Sequence, residues 1–205
     1  MTISVRNYTL ADYEALLTIQ KEAFPPPFPE ELWWSKDQIR SHIETFPEGA
    51  MIAEIDGEPA GSATALMILF DGKPHTWDEV ADEGYIARSH NRKGDSLYGI
   101  DVCVRPEFRG KGVAKALYEA RKSLVEKLKL TRFMAGCRIP GYHKHADRLS
   151  PQDYMVEVRN GRIDDLVLSF MIRQGMTPVQ VMENYLDDEE SKDCAVIVEW
   201  KRRQS

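Results

Sequence analysis

The sequence predicts one α/β domain in which helices cover a mixed sheet, and three observations lead to that fold class. The chain has 205 residues, a length usual for a single domain. Residues 51–70 have the alternation and the Asp56-Gly57 turn of an antiparallel hairpin. Residues 97–128 have the pattern of a strand, a glycine-rich turn and a helix, and the strand expected at 131–137 would lie parallel to the first one.

The N-terminal part of the chain predicts one strand and two helices. Residues 3–6 alternate as a strand does, and residues 10–24 place apolar side chains at helical spacing. The prolines of residues 25–29 cannot continue that helix, so we expect a rigid extended link there. Ser35 followed by Gln38 is a capping-box pattern, which predicts a second helix ending at about residue 46.

The central elements have the clearest patterns. Residues 97–104 are apolar at nearly every position, as in a strand that is covered on both faces. After the glycine turn, apolar residues recur along one face of a helix at Val113, Ala116, Leu117, Ala120, Leu124 and Leu128. Residues 166–174 predict a helix that Gly175 ends. Residues 179–182 and 194–200 predict two closing strands joined by a long loop.

Two polar segments interrupt these elements within the single domain that we expect over residues 1–205. Residues 71–96 show no clear period, and residues 138–163 form a second insertion. Connections of this length in a compact domain usually cover a functional site or form a mobile segment. Within the second insertion, Ser150 followed by Pro151 is typical of a helix start.

Composition excludes several classes of function. A formal net charge of −6 argues against a nucleic-acid-binding surface. Cys103, Cys137 and Cys194 are widely separated and odd in number, which fits neither a disulfide framework nor a zinc cluster and favours a reducing cytoplasm. The histidines lack metal-ligand spacing beyond one His-x-His, so we expect no metal. We also expect no membrane partner, because the N-terminus lacks an apolar signal core and no stretch approaches membrane-spanning length.

The turn between the central strand and its helix is the strongest functional signal. Arg109, Gly110, Lys111 and Gly112 follow the strand directly. Glycines let a ligand approach the backbone, and a helix start directs unpaired N–H groups and a positive dipole end towards an anion. The spacing matches neither GxxxxGK[ST] nor GxGxxG, so it predicts a phosphate or diphosphate ligand without a nucleotide-binding motif. The alternative is an ordinary turn that needs glycine for its dihedral angles.

This turn resembles the coenzyme A loop of the GNAT superfamily of acyl-CoA-dependent N-acyltransferases. The family pattern Gln/Arg-x-x-Gly-x-Gly/Ala is matched at Arg109, Gly112 and Ala114. The order of elements along the chain is also that of the family. The resemblance implies a mixed, mostly antiparallel sheet whose central parallel pair splays apart, with helices on both faces.

A subgroup resembles this chain more closely over several segments, such as residues 97–102 and 138–144. It is the acetyltransferase-like domain that in some bacteria is fused to a carbon–nitrogen hydrolase of the nitrilase type. The chain ends where that hydrolase would begin, so we expect the acyltransferase-like unit standing alone. Because the acceptor of that subgroup is undefined, the resemblance specifies the fold more closely than it specifies the substrate.

The resemblance implies an acyl-CoA substrate, with acetyl-CoA as the donor and no metal cofactor. The diphosphate would lie on the N–H groups of the turn and helix start, which comprise Arg109, Gly110, Lys111, Gly112, Val113 and Ala114. The pantetheine arm would run along the backbone of Val102, Cys103 and Val104. A primary amine would then attack the thioester directly, and an N–H of that strand could stabilise the oxyanion.

One position departs from the family pattern. Many members carry a tyrosine acid four residues before the glycine of a Tyr-x-x-x-Gly-Phe ending. In this sequence that glycine is Gly175, the tyrosine position holds Met171, and Met176 replaces the phenylalanine. A methionine cannot donate a proton, so another residue serves or the site no longer transfers acyl groups.

Four residues are candidates for the missing acid and base. Asp101 would be costly in an apolar strand unless it is paired or used, although a neighbouring arginine or backbone could satisfy it. His143 as base and Tyr142 as acid follow the strand at 131–137, where α/β sheets gather their sites, unless both are simply exposed in a polar loop. Tyr185 could line the acceptor pocket or be a tyrosine at the edge of the core. Nucleophilic use of Cys137 is less favoured than a role as a small core residue.

The sequence therefore predicts acyl transfer from acetyl-CoA to a primary amine of a small molecule or peptide. The insertions at 71–96 and 138–163 would narrow the acceptor pocket, and a homodimer stays open. The rival prediction is a non-catalytic CoA-binding module that regulates a hydrolase partner. A phosphoanion-binding structural protein without CoA is a third alternative.

Overall fold

The computed structural model describes residues 1–25 and 30–202 of the chain and contains one seven-stranded sheet. Its strand order is β1-β2-β3-β4-β5-β7-β6. All neighbours in the sheet pair antiparallel except β4 and β5, which are parallel. The predicted mixed, mostly antiparallel α/β fold is therefore confirmed. The prolines predicted to form an extended link lie outside the described residues from Pro26 onward.

The N-terminal elements follow the sequence pattern closely. Strand β1 spans Ile3–Asn7, and helix α1 spans Tyr13–Ala23 after one turn of 3₁₀ helix. Helix α2 spans Lys36–Thr45. The hydroxyl of Ser35 accepts the N–H of Gln38, and the Gln38 side chain accepts the N–H of Ser35, so both ends of the predicted capping box are formed.

The hairpin and the first insertion come next. Strand β2 spans Ala50–Ile55 and β3 spans Glu58–Ile68, joined by the predicted two-residue turn with positive φ at both residues. The first insertion contains a short helix, α3, over Trp77–Ala81, which the sequence pattern did not predict. Thr76 caps it through the N–H of Glu79, so a local capping signal was present although five residues are too few to show a period.

The central unit consists of β4, the helix after the glycine turn, and β5. Strand β4 spans Ser96–Val104, α4 spans Val113–Leu128 and β5 spans Arg132–Arg138. Helix α4 packs across the first five strands, while α1 packs on β3 and β4. The apolar face predicted for α4 is buried at Val113, Leu117 and Leu124, which attaches the glycine turn to the core.

The C-terminal part supplies two helices and two strands. Helix α5 spans Pro151–Arg159 within the second insertion, with the hydroxyl of Ser150 accepting the N–H of Asp153. Helix α6 spans Leu168–Arg173, and the strands are β6, Thr177–Met182, and β7, Ala195–Lys201. The described part of the chain has no helix with the length and hydropathy needed to cross a membrane.

Candidate functional site

The predicted anion-binding turn has backbone angles that require its two glycines. Gly110 has φ +76° and Gly112, which precedes the first residue of α4, has φ +92°. Side chains with a Cβ rarely adopt these angles because of steric clash with the backbone. A Cβ on Gly110 would meet no atom within 4 Å, so the space above this residue is open to a ligand.

The first turn of α4 has no cap from its own chain. No side chain of the described residues accepts its N–H groups, and no acidic residue lies in its first turn. The N–H of Ala116 bonds to the carbonyl of Gly112 at 3.0 Å, which leaves the N–H groups of Val113, Ala114 and Lys115 as the orphan donors of the helix start. These donors and the helix dipole favour an anion at this position.

Three cations surround this turn without carboxylate partners. Among the ion pairs of the described residues, none involves Arg109, Lys111 or Lys115. The Arg109 guanidinium donates only to main-chain oxygens, that of Val104 at 3.3 Å and that of Ala23 at 3.4 Å. Because the whole chain carries a net charge of −6, this unpaired positive cluster is a local exception that suits a polyanion.

Arg105, unlike the three cations of the turn, is paired with carboxylates. This guanidinium lies within 3.0 Å of the carboxylates of Glu22, Glu58 and Glu107, and it also donates to the carbonyl of Pro59 at 2.9 Å. The three carboxylates raise its pKa, with Glu22 the largest cause. Its charge is neutralised, so Arg105 fastens the end of β4 to α1 and to the hairpin and is not available to a ligand.

The central parallel strands separate immediately beside the turn. Their paired register ends at Gly99 and Ala135, although β4 continues to Val104 and β5 to Arg138. Opposite β3 the register shifts so that Ile100 is an extra residue, a β-bulge at the point of separation. Beyond it, Val102, Cys103 and Val104 pair with β3 alone, so the predicted splayed pair is present and one edge of this segment lacks a strand partner.

Asp101 lies next to the bulge with both carboxylate oxygens in use. One oxygen accepts the N–H of Thr64 at 2.6 Å, and the other accepts the ring N–H of Trp34 at 3.4 Å and the thiol of Cys103 at 3.7 Å. Backbone satisfaction was the structural alternative for this residue, and the hydrogen bond from Thr64 corresponds to it. Through the bond to Thr64, Asp101 holds the bulge of β4 against β3.

Tyr142 and His143 lie in a turn of 3₁₀ helix after β5. Tyr142 is buried, and its hydroxyl donates to the carbonyl of Leu149 at 3.0 Å, while burial raises its pKa. His143 is exposed, with Nδ1 2.7 Å from the carbonyl of Pro140. Both residues have partners within the second insertion, and these contacts favour a structural role for Tyr142.

Tyr185 lies in the loop between β6 and β7. Its side chain reaches the opening where β4 and β5 separate, which we call the splay. Its hydroxyl is 2.8 Å from that of Tyr98, which in turn is 3.1 Å from Nε2 of His75. A Cβ on Gly136 would overlap the Tyr185 ring, so this glycine of β5 provides the space for it. Trp77 completes the arrangement, because its main-chain N–H donates to the carbonyl of Tyr185 at 2.7 Å and its ring N–H to that of Ile100 at 2.9 Å.

Arg121 of α4 was not among the predicted residues, although it is fully buried beneath the bulge. Its guanidinium donates to the carbonyls of Thr64 and Asp101, and its Nε has no hydrogen-bond partner among the described residues. Burial lowers its pKa. The sequence contained a signal, since Arg121 follows Leu117 by four residues and therefore interrupts the apolar face of the helix.

His42 of α2 was also missed and belongs to a second buried chain. Its Nδ1 is 2.9 Å from the hydroxyl of Tyr8, which is 3.1 Å from that of Thr64, and its Nε2 is 2.6 Å from the carbonyl of Gly84. Burial lowers the pKa of His42, which favours the neutral ring. This chain ties α2 and the first insertion to the strand beside the bulge.

Met171 has its thioether sulfur in contact with the hydroxyl of Tyr118, which is fully buried. Burial raises the pKa of Tyr118, so its phenol gives up a proton less readily than an ordinary tyrosine does.

Cys137 is buried as well, and burial raises the pKa of its thiol well above the usual value. A protonated buried thiol is a poor nucleophile, in agreement with a core role for this residue. No cluster of three or more metal-ligating side chains occurs within residues 1–25 and 30–202.

A comparison with protein families shows which family has this fold and this glycine turn. The model of the Acetyltransferase (GNAT) family matches residues 13–146, which include the glycine turn and the splayed strands. The chain belongs to this family. The predicted resemblance and the enzyme class that it implies, an N-acetyltransferase, are thereby confirmed at the level of the family.

Two curated relatives from Bacillus subtilis (strain 168) align with almost the whole of this GNAT chain. The protein YkwB, an uncharacterized N-acetyltransferase, is 45% identical over 97% of this chain and 88% of its own length. The protein YhcX, a probable hydrolase, is 40% identical over 96% of this chain. This chain spans only 38% of the length of YhcX, so the activity of that longer protein is not carried over.

Solved structures share the GNAT fold at low sequence identity. The loading GNATL domain of CurA from Lyngbya majuscula has a TM-score of 0.82 at 16% identity and covers 98% of each chain. The GNAT-like decarboxylase GphF, solved with isobutyryl-CoA, has a TM-score of 0.78 at 21% identity and covers 97% of this chain and 98% of its own. The ribosomal-protein-S18-alanine N-acetyltransferase from Escherichia coli has a TM-score of 0.57 at 14% identity, covering 100% of this chain and 96% of its own.

Proposed function

We propose that this GNAT protein binds acetyl-CoA and transfers the acetyl group to a primary amine of a small molecule or peptide. The observation that carries the proposal is the uncapped start of α4, with two glycines at positive φ and three unpaired cations, beside the point where β4 and β5 separate. A diphosphate at the helix start and a thioester in the splay would satisfy both features. GNAT enzymes as a family act with acyl-CoA on small-molecule or peptide acceptors.

In this proposal the residues of the turn have separate roles. The N–H groups of Gly110, Gly112, Val113 and Ala114 would hold the diphosphate, with Arg109 and Lys111 balancing its charge. The unpaired edge of Val102, Cys103 and Val104 would hydrogen-bond the pantetheine arm as a strand does. An N–H from this edge would stabilise the oxyanion that forms when the amine attacks the thioester carbonyl.

The reaction also needs a route for a proton. An alkylammonium, with an ordinary pKa of about 10.4, must lose a proton before it attacks, and the CoA thiolate accepts another when it leaves. Asp101, Tyr142, His143 and Tyr185 stay the candidates for these tasks. The geometry supports Tyr185 most strongly, since its hydroxyl lies at the splay and Asp101 and Tyr142 are occupied by main-chain partners.

The two insertions support a narrow acceptor site. The first lies against the splay through Trp77, and the second follows β5 directly through Tyr142 and His143. Such walls would suit a small amine better than a broad protein surface. We further propose a cytoplasmic location, which the three free, buried cysteines support, and leave a homodimer as a proposal.

A second candidate is decarboxylation of an acyl-CoA that carries a carboxylate. The structures of a loading GNATL domain and a GNAT-like decarboxylase have TM-scores of 0.82 and 0.78, against 0.57 for the ribosomal-protein N-acetyltransferase. Below 25% identity this likeness concerns the fold, but Met171 at the usual position of the tyrosine acid agrees with chemistry other than amine acetylation. In such a step the carbon–carbon bond would break, CO₂ would leave, and the α carbon would take a proton.

One experiment separates these functions and the CoA-binding module. The 205-residue chain is incubated with acetyl-CoA and a panel of amines while free thiol is followed. In parallel it is incubated with malonyl-CoA while CO₂ and acetyl-CoA are measured. Thiol release that depends on an amine supports the transferase. CO₂ release without an amine supports the decarboxylase, and tight CoA binding with neither product refutes both enzymes in favour of the module. Absence of any CoA binding contradicts all three.

A further inference from the structure

Three side chains that are distant in sequence form a hydrogen-bonded chain from the splay to the surface. The hydroxyls of Tyr185 and Tyr98 are 2.8 Å apart, and the hydroxyl of Tyr98 is 3.1 Å from Nε2 of His75. Tyr98 and Tyr185 are buried, with 0% and 2% of their surface exposed, whereas His75 is half-buried. The chain therefore has one end inside the protein and one end in contact with solvent.

The donors and acceptors in this chain have a definite direction. Nδ1 of His75 lies 3.1 Å from the carbonyl of Lys73, and a carbonyl can only accept, so this nitrogen carries the proton in the neutral ring. Nε2 then accepts from the hydroxyl of Tyr98, which in turn accepts from the hydroxyl of Tyr185. Each proton in the chain thus points from the splay towards His75.

The inner end lies where the substrate of the proposed reaction would react. The Tyr185 hydroxyl packs against Gly136, the first residue of β5 beyond the paired register. The main chain of Tyr185 is linked through Trp77 to the carbonyl of Ile100, the bulged residue of β4. The hydroxyl is therefore held against a face of β5, next to the point where the two strands begin to separate.

We propose that Tyr185, Tyr98 and His75 form a proton relay that removes a proton from the amine acceptor, which rests on the proposed transferase function. The ammonium gives a proton to the Tyr185 oxygen, Tyr185 passes its own proton to Tyr98, and Tyr98 passes its own to Nε2 of His75. The imidazolium releases a proton to solvent. The amine then forms the C–N bond, the C–S bond breaks, and the second nitrogen proton goes to the thiolate.

The surroundings suit this task. Burial raises the pKa of Tyr98 and of Tyr185, so both phenols stay protonated and able to donate and accept at once. The ring of His75 is held between Phe70, at 6.2 Å between centroids, and Tyr185, at 5.8 Å. Of the charged groups near His75, Lys73 is paired with Asp71, and Arg132 lies over the Phe70 ring.

The test uses single substitutions that keep the shape of the relay. Tyr185→Phe and Tyr98→Phe each remove one hydroxyl, and His75→Gln keeps an acceptor for Tyr98 that cannot take a proton. We expect kcat at pH 7 with acetyl-CoA and the most active amine of the panel to fall about 100-fold, the usual order for a lost general base, with KM for acetyl-CoA within about twofold. Tyr154→Phe is the matched control, because Tyr154 lies in the second insertion and the variant removes a buried hydroxyl that bonds Asp165.

The pH profile separates a relay from a structural role. As the pH approaches the pKa of the amine, the solution supplies neutral amine, so the deficit of the relay variants should shrink by up to about tenfold per pH unit. A deficit that is equal at every pH, or no deficit at all, overturns the relay.

A spectroscopic measurement covers the case in which no amine reacts. In ¹⁵N-labelled wild-type protein we expect a proton on Nδ1 of His75 and an unprotonated, hydrogen-bonded Nε2 whose resonance moves in Tyr98→Phe. A proton on Nε2 in the neutral ring, or no change in Tyr98→Phe, overturns the hydrogen-bonded chain itself. If the tautomer is as expected but wild type transfers no acetyl group to any amine, the proposed function fails, and the relay fails with it as a route for amine protons.

Discussion

Replacing Gly110 by alanine should weaken CoA binding far more than it weakens the fold. Gly57, in the turn between β2 and β3, is a matched control because it has φ +86° and Gly110 has φ +76°, and a Cβ on either residue would meet no atom within 4 Å. The backbone strain of alanine at such angles is about 1–2 kcal/mol. Alanine also lowers the conformational entropy of the unfolded chain, which stabilises the folded state by about 0.4–1 kcal/mol.

The net loss of about 1 kcal/mol should lower the melting temperature by about 2–4 °C in both variants. Only at Gly110 does the added methyl lie in the turn that leads into the uncapped start of α4. Losing one charge-assisted hydrogen bond to a phosphate costs about 1.5–3 kcal/mol, which corresponds to a Kd about 10- to 100-fold larger.

Isothermal titration with CoA would measure these affinities, and thermal unfolding without ligand would measure the shared strain. Gly57→Ala should bind CoA as wild type does. If the three proteins have the same Kd for CoA, or if both variants lose affinity equally, the diphosphate does not lie on this turn and the reasoning is refuted.

Three further predictions follow from the same structure. The double variant Arg109→Ala and Lys111→Ala should lose about tenfold in CoA affinity at low salt and less at 0.5 M salt, because the lost attraction involves exposed charges that salt screens. A loss of the same size at both salt concentrations would contradict it. Asp101→Asn should lower the free energy of unfolding by about 1–3 kcal/mol in urea titrations, because the N–H of Thr64 loses a charged acceptor, while kcat falls less than in Tyr185→Phe. Burial lowers the pKa of His42 in the folded protein, so as the pH falls the unfolded chain binds a proton at this histidine before the folded chain does. The free energy of unfolding should therefore fall as the pH drops below about 6.5. Urea titrations at pH 7.5 and 5.5 should show a smaller fall in His42→Gln than in wild type, and equal falls would exclude this residue as the cause.

Elements with local signals were predictable at residue level. The capping box at Ser35 and the glycines before α4 determine where two helices begin, because both act within a few residues of the chain. The helix α3 escaped prediction because its five residues are shorter than two turns. Its capping threonine was present in the sequence, but a single cap without a following apolar period is weak evidence.

The candidate site was predictable only in part. The glycine turn was predicted from its spacing, and the structure adds the unpaired cations and the open space around it. Arg121 and His42 were missed because a charged or polar residue on a helix gives no sign of which buried carbonyl or hydroxyl it will meet. The hydrogen bonds of Tyr98 to His75 and Tyr185 join residues separated by 23 and 87 positions.

By itself the amino-acid sequence determined the order of the main strands and helices, the place of the glycine turn between β4 and α4, and the family. These properties depend on backbone angles, caps and periodicity, which neighbouring residues decide. Only the tertiary structure decided where β4 and β5 stop pairing, which side chains meet at that opening and which of them are already occupied by main-chain partners. Those outcomes depend on strand register and on contacts across the sheet, and no short-range pattern in the chain encodes them.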